Sequence, residues 1–310
     1  MIITVTPNPA VDQTVFVDAL HVGDVNRFRE WHLDPAGKGI NVSRVAHRLG
    51  WPTMAFGFLA GEVGQIIERA LTDERVQFHF VPVPGQTRIN VTVVDRGRGT
   101  ATSFYGPGPA VDGETLATLT DLLHFWLQTG RVLVLAGSLP EGVSTDYYAS
   151  LIRSAQGEGT ICILDANGEA LRLGVEAKPY LIKPNVTEAE HLLGRRLPDL
   201  AAVIEGAREV VSRGVSVVVV SMGKDGAVCV DREHVWHARP PQVPLRSTVG
   251  SGDSLVAGLA VALARGESLD KGLRIGTAAG AATAMTPGTA LGTAADIAEL
   301  LPQVEIKQLE

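Results

Sequence analysis

Cysteine is scarce in this chain: there are two among 310 residues, Cys162 and Cys229, each inside an apolar, strand-like run. Thiols so placed read as buried and free in a reducing cytoplasm, not as a disulfide framework. Long apolar runs are missing too. None approaches a membrane span, and no charged segment precedes an apolar signal core at the N-terminus, so no membrane partner is expected. Positive charge is in deficit, with a net charge of −7, which argues against nucleic acid as a partner. The first apolar run is followed by Pro7-Asn-Pro9 in place of a Gly-x-Gly-x-x-Gly turn, and no Gly-x-x-x-x-Gly-Lys-Ser/Thr occurs. Those absences weigh against a Rossmann dehydrogenase and a P-loop NTPase. The eight histidines show no metal-ligand spacing; His234 and His237 flank a strand-like Val-Trp and point to opposite faces. No Ser/His/Asp set, internal repeat, low-complexity tract or linker is readable.

What is present is alternation. At 310 residues there is room for one large α/β domain or two small ones, and 45% hydrophobic with 20% charged residues is ordinary for a globular chain with a sizeable core. Strands are expected at 1–6, 13–18, 27–33, 53–59, 132–136, 160–165, 179–183 and 215–220, and a hairpin at 88–95 and 101–105. Helices are expected at 62–71, 111–128, 187–193, 200–213, 268–285 and 293–300, and after two glycine-rich turns. This order implies a doubly wound three-layer α/β/α sandwich, with ligands outside the carboxyl ends of the strands. Residues 13–33 and 88–105 interrupt the alternation and are expected to form a small β-sheet lid on a single domain spanning 1–310.

One stretch organises the rest: Ser247-Thr-Val-Gly-Ser-Gly-Asp-Ser-Leu-Val-Ala-Gly258. Leu255, Leu259, Ala262 and Leu263 recur at helical spacing after Gly252. The first turn of such a helix carries unpaired N–H groups, a ready anion site. Asp253 in that turn makes sense as a base acting on something held beside the anion; the competing reading is an acidic residue favoured by the helix dipole.

A second glycine turn, Gly37-Lys-Gly39, enters another helix and places Lys38 and Asn41 at its start, suited to hydroxyl or phosphate recognition. Lys183-Pro-Asn-Val-Thr-Glu188 places Asn185 and Glu188 where they could organise Mg²⁺ through water, or merely cap a helix, with Thr187 as cap. The glycine-bearing segments 37–41, 137–142, 221–226 and 250–253 are expected to share one crevice.

Taken in order, Gly37-Lys-Gly-Ile-Asn41, Thr87-Arg-Ile-Asn90, Gly137-Ser-Leu-Pro140, Lys183-Pro-Asn185 with Glu188, Ser221-Met-Gly223 with Gly226, and Thr248-Val-Gly-Ser-Gly-Asp253 resemble, end to end, the PfkB (ribokinase-like) carbohydrate kinases. The likeness is to their hexose-phosphate branch. It implies transfer of the γ-phosphoryl group of ATP, with Mg²⁺, to a ketohexose phosphate. Ala36 is familiar from members acting on fructose 1-phosphate, whereas Val25-Asn-Arg27, Asp146-Tyr-Tyr148 and Gly250-Ser-Gly252 look more like members acting on tagatose 6-phosphate. Both substrates stand open, as does a non-catalytic sugar-phosphate sensor, against which an intact Asp253 argues. The resemblance implies Asp253 as base and the amides of Gly250, Ser251 and Gly252 as an anion hole. It implies sugar contacts from Asp12, Gly37, Lys38, Asn41, Asn90 and Ser138, and a phosphate clamp of Arg88 helped by Arg27 and Lys38. ATP would meet Lys183, Asn185, Ser221, Gly223 and Gly226, with Gly280 and Thr283 near adenine. Asn185 and Glu188 would organise Mg²⁺, and two lids would pair in a homodimer.

Overall fold

The computed structural model describes residues 1–127 and 131–309. Its centre is β1 (Ile2–Thr6), five residues that are all buried. In chain order follow β2 (Ala10–Val17), β3 (Glu30–Ala36), α1 (Lys38–Arg48), β4 (Thr53–Leu59), α2 (Gly61–Asp73), β5 (Gln77–Pro82), β6 (Arg88–Asp95), β7 (Thr100–Phe104) and α3 (Gly113–Trp126). Then come β8 (Val132–Ala136), α4 (Tyr147–Gly157), β9 (Ile161–Asp165), α5 (Gly168–Glu176), β10 (Leu181–Ile182), α6 (Val186–Leu193), α7 (Leu200–Ser212) and β11 (Val217–Ser221). The chain closes with β12 (Ala227–Val230), β13 (Val235–Arg239), α8 (Ser251–Arg265), α9 (Leu269–Ala284), α10 (Ala294–Leu300) and β14 (Glu305–Gln308).

The main sheet runs β14-β13-β12-β11-β10-β9-β8-β1-β4-β5. Neighbours from β5 to β11 are parallel, and β12, β13 and β14 add antiparallel pairings at one end. Alternate strand residues feed two cores. Ile3, Val5, Leu133, Leu135, Val218 and Val220 pack with the α3, α4 and α7 side, whereas Ile2, Val132, Val134, Val217 and Val219 pack under α1, α8 and α9. That two-sided burial is why these strands are almost purely apolar. The expected three-layer sandwich is therefore present. From β1 the chain winds outward through β4 and β5, then returns to β8 and winds the other way, which sets the ligand crevice at the carboxyl ends of β1 and β8.

A second sheet, β3-β2-β6-β7, is the lid. It begins three residues earlier than expected, because Ala10 already pairs with Ala36 and Arg88; β3 is likewise displaced to 30–36. The period-2 pattern gives the lid two different faces. Asp12, Asn90, Thr14 and Asp34 share one, and Val15, Trp31, Leu33, Ile89 and Phe104 share the other.

Some boundaries differ from expectation. The helix expected at 111–128 spans Gly113–Trp126 with Asp112 as its cap; Gln128 lies outside the described residues. Of the strand expected at 179–183, only Leu181 and Ile182 pair. Elements α4, α5, β5 and β14 were not expected. No described helix is long and apolar enough to cross a membrane.

Candidate active site

The carboxyl edge of the main sheet carries, strand by strand, the residues that matter. Thr6-Pro7-Asn8 leaves β1, Gly137-Ser138 leaves β8, Asp165 ends β9, Lys183 follows β10 and Ser221 ends β11. With about 4.8 Å between strands, the row extends roughly 19 Å.

Its middle is a charged cluster. Asp165, 1% exposed, receives Lys38 Nζ at 2.9 Å and Lys183 Nζ at 3.5 Å. Burial opposes ionisation of Asp165, but Lys183 and Lys38 hold its carboxyl below the ordinary value. Lys38 feels the reverse: burial would lower its pKa, yet Asp165, Asp253 and Glu188 raise it above the usual lysine range. The cation is brought there by Gly37 and Gly39. Gly37 has φ +131°, and a Cβ on Gly39 would lie 2.5 Å from Thr6 Oγ1, so the turn sits directly on the end of β1.

Above the cluster stands the first turn of α8. Gly250 caps it in the left-handed region at φ +80°, and no side chain satisfies its first N–H groups. Ser251 N–H reaches the Thr248 carbonyl at 3.4 Å, so the turn offers chiefly the amides that follow it to an anion, and a Cβ on Gly252 would be 3.3 Å from Lys183 Nζ. Asp253 in this turn is 8% exposed and accepts a hydrogen bond from Asn41 Nδ2 at 2.8 Å. Burial, and the nearby Asp165 carboxylate, push its carboxyl up to about 6, against the pull of Lys38, Asn41 and Lys183. A carboxylate with a raised pKa beside fixed cations and open amides is equipped to accept a proton. Three buried atoms here have no hydrogen-bond partner among the described residues: Asn41 Oδ1, Asp165 Oδ2 and Ser251 Oγ. Buried polar atoms without partners mark where a polar ligand fits.

Toward the lid, Asn90 Nδ2 donates to Asp12 Oδ1 at 2.8 Å, and burial raises the Asp12 carboxyl above its ordinary value. Arg88 reaches the same corner, but its N–H groups are largely engaged. Nη2 donates to the Asn8 carbonyl at 2.8 Å, Nη1 to the Gly106 carbonyl at 3.1 Å and Nε to the Pro9 carbonyl at 3.4 Å, with Ser138 Oγ 3.4 Å from Nη2. Arg88 thus braces two loops as well as presenting charge. Arg27 is not brought to this corner. It is exposed in the loop between β2 and β3, beyond the distal end of the lid.

At the other end, the bridge between Asn185 and Ser221 sets β11 beside the start of α6. Gly226, at φ +88°, passes so close to Ala238 that a Cβ would lie 1.8 Å from its carbonyl oxygen, and Gly223 turns the loop at φ +60°. Asn185 and Glu188 form a reciprocal capping box on α6, each side chain accepting the other's N–H at 2.8 Å. The cap is Asn185, not Thr187. Glu188 Oε1 remains, 4.0 Å from Lys38 Nζ. This donor set fits Mg²⁺ held through water and phosphate oxygens; Lys38 stands between Glu188 and Asp165 and disfavours direct coordination by both. Gly280 rests on the Ser251 carbonyl. Thr283 is 1% exposed, and its hydroxyl joins Ser254 Oγ at 2.7 Å and the Gly292 N–H at 3.0 Å, so it supports α8 from within.

Cleft, glycine turns and a buried carboxylate beside two lysines thus meet at the carboxyl edge of an α/β/α sandwich. Residues 6–296 match the description "pfkB family carbohydrate kinase", and the chain belongs to that family. It is a phosphotransferase with an alcohol group as acceptor. The chain is 36% identical over 309 residues to a 1-phosphofructokinase of Bacillus subtilis, covering 100% of both. It is similar to phosphofructokinase-2 from Escherichia coli in complex with substrates and products, at 34% identity, TM-score 0.93, and 97% and 98% coverage. The tetrameric inhibited form of that enzyme gives 32% identity, TM-score 0.89, and the same coverage.

Proposed function

We propose that this kinase phosphorylates a ketohexose phosphate, taking fructose 1-phosphate to fructose 1,6-bisphosphate. The observation that carries the reading is Asp253, buried, with a raised pKa, held by Asn41 beside Lys38 and Lys183. MgATP, when bound, supplies the transferred phosphoryl group. Asp253 accepts the proton of the acceptor hydroxyl as that oxygen bonds to phosphorus, and ADP leaves. Lys38, Lys183 and the α8 amides neutralise the charge that spreads over the transferred group. Asp12, Asn90, Asn41 and Ser138 orient the sugar, and Arg88 meets its existing phosphate. Ser221, Gly223 and Gly226 line the ATP end, while Asn185 and Glu188 hold the water shell of Mg²⁺. The name of the B. subtilis relative supports fructose 1-phosphate as substrate. We place the whole of 1–310 in one kinase domain, working in the cytoplasm, where the buried thiols of Cys162 and Cys229 stay reduced.

The test is turnover of MgATP across fructose 1-phosphate, fructose 6-phosphate, tagatose 6-phosphate and unphosphorylated fructose. Fructose 1-phosphate should give the highest kcat/KM, and preference for tagatose 6-phosphate would move the enzyme to the other subgroup. In the same assay Arg88→Ala should weaken the sugar phosphate about ten- to a hundredfold and leave the KM for ATP nearly unchanged. Because Arg88 also braces the Asn8 and Gly106 loops, its melting temperature should fall too. Weaker ATP with unchanged sugar phosphate would reverse the two ends of the cleft.

We propose that the lid pairs with that of a second copy. Its apolar face leaves Trp31 52%, Leu33 36%, Ile89 41% and Phe104 61% exposed, a patch that a second such face would cover. A homodimer also gives Arg27 a place. Asp12 and Val17 are five residues apart in β2, roughly 17 Å, so Arg27 beyond Val17 is remote from its own site and serves that of a second copy. Light scattering should give two chain masses for the wild type and one for Leu33→Glu, with activity falling in step. A fully active single-chain wild type would remove the dimer.

A further inference from the structure

We infer that Thr289 and Asp34 form a latch that fixes the lid to the catalytic helix and so positions Asp12 over the sugar. The inference rests on the sugar-kinase reading of Asp12 and Asp253. Thr289 belongs to the loop between α9 and α10, far from the lid in sequence. It is 5% exposed, and its hydroxyl donates to Asp34 Oδ2 in β3 at 3.1 Å. Asp34 lies opposite Asp12 in the β2–β3 register, so two carboxylates share this corner. The Thr289 hydroxyl also pulls on the Asp12 carboxyl, against the burial that raises it. Gly288 makes the approach possible: at φ +62°, a Cβ there would lie 3.3 Å from Thr14 Oγ1 and 3.5 Å from Asp34 Oδ2.

The loop is tied at its other end to the first turn of α8. Thr283 Oγ1 accepts the Gly292 N–H at 3.0 Å and meets Ser254 Oγ at 2.7 Å, and Ser254 Oγ donates to the Gly250 carbonyl at 3.0 Å. Arg48 Nη1 holds the Leu291 carbonyl at 2.7 Å and the Gly292 carbonyl at 3.0 Å from the α1 side. Hydrogen bonds at its two ends, joined by the backbone from Thr289 to Gly292, thus lead from β3 of the lid to the glycine that opens the anion turn. Thr289 is the member of this run that meets the lid, and losing its hydroxyl leaves the Thr283, Ser254 and Gly250 contacts in place. It is a positioning residue: its hydroxyl acts on the sugar through Asp34 and the lid.

The experiment compares Thr289→Val, which keeps shape and removes the hydroxyl, with Thr289→Ser and Asp34→Asn. Amide hydrogen exchange in the unliganded protein reads the lid, and kinetics read the site. Thr289→Val and Asp34→Asn should speed exchange in residues 10–17 and 30–36 and leave 251–265 unchanged. Each should raise the KM for the sugar phosphate about five- to twentyfold with the KM for ATP within about twofold, an effect in the range of one lost charge-assisted hydrogen bond. Thr289→Ser should restore both readouts, and the double variant should be no worse than the worse single one. Unchanged lid exchange in Thr289→Val, or an unchanged sugar-phosphate KM, would overturn the latch. A wild-type enzyme inactive on every ketohexose phosphate would overturn the underlying sugar-kinase reading, and the exchange result would still report on the latch contact.

Discussion

Replacing Asp253 by Asn should lower kcat by about 10²–10⁴-fold while the KM values for ATP and sugar phosphate stay close to wild type. The amide keeps the shape of the turn and the neighbour Asn41 but cannot accept the hydroxyl proton. The same variant should be more stable than wild type at neutral pH. The sign follows from the carboxyl, which burial and Asp165 push from 3.8 up to about 6 in the folded state. A group with a raised folded pKa contributes stability in full below about pH 4, and that contribution is lost as pH rises through about 6. Asn carries no such dependence, so the two melting temperatures should diverge between pH 4 and 7 in favour of the variant. Wild-type kcat/KM should rise with pH through about 6 as Asp253 deprotonates. A carboxylate that served only the helix dipole predicts the reverse: a loss of roughly 0.3–1 kcal/mol and near-normal turnover. Near-wild-type kcat in Asp253→Asn would remove the base from the mechanism.

Asp165→Asn should be the most destabilising single change near the site. Asp165 is buried and pairs with two ammonium groups, and Lys183 is itself buried. Removing one partner of a buried ion pair costs about 3–5 kcal/mol, because the remaining charge is stranded. Denaturant unfolding at pH 7 measures that loss. The variant should also change the pH profile. Without the Asp165 charge, one like charge fewer opposes ionisation of Asp253, so the acid limb of kcat/KM should move to lower pH than in the wild type. A variant as stable as wild type, with an unmoved acid limb, would show that Asp165 braces nothing.

The chemistry-bearing turns were legible because each is a local pattern. Glycines around Lys38 and before Asp253 mark helix starts in any fold, and Gly37 and Gly250 do adopt positive φ. Asp165 was not legible. Its signal, one acid ending the apolar run Ile161-Cys-Ile-Leu-Asp165, acquires meaning only from Lys38 and Lys183, which the sheet brings to it. The role of Thr283 as an internal support is illegible in the sequence for the same reason, since Ser254 and Gly292 are its partners only in space. The lid strands are legible in type but late in position, because Pro7 and Pro9 suggest a longer break than the three residues that separate β1 from β2. The edge strands β5 and β14 were missed. Each is short and pairs on one side only, and β5 ends in Pro82, so neither shows the continuous apolar run of a central strand.

The placement of β1 at the middle of the sheet has a consequence for how the chain is made. Ile2 pairs with Thr53 on one side and with Val132 on the other, 79 positions later. At ribosomal rates of about 5–20 residues per second, the second edge of β1 stays open for roughly 4–16 s after the first partner has emerged. An open, apolar, flat edge is a template for pairing with the wrong strand, and parallel pairings between distant segments form slowly. The strand that anchors the finished cleft is therefore the one left unguarded longest during translation. Errors of assembly in this enzyme should begin there, in nascent chains that end between β4 and β8.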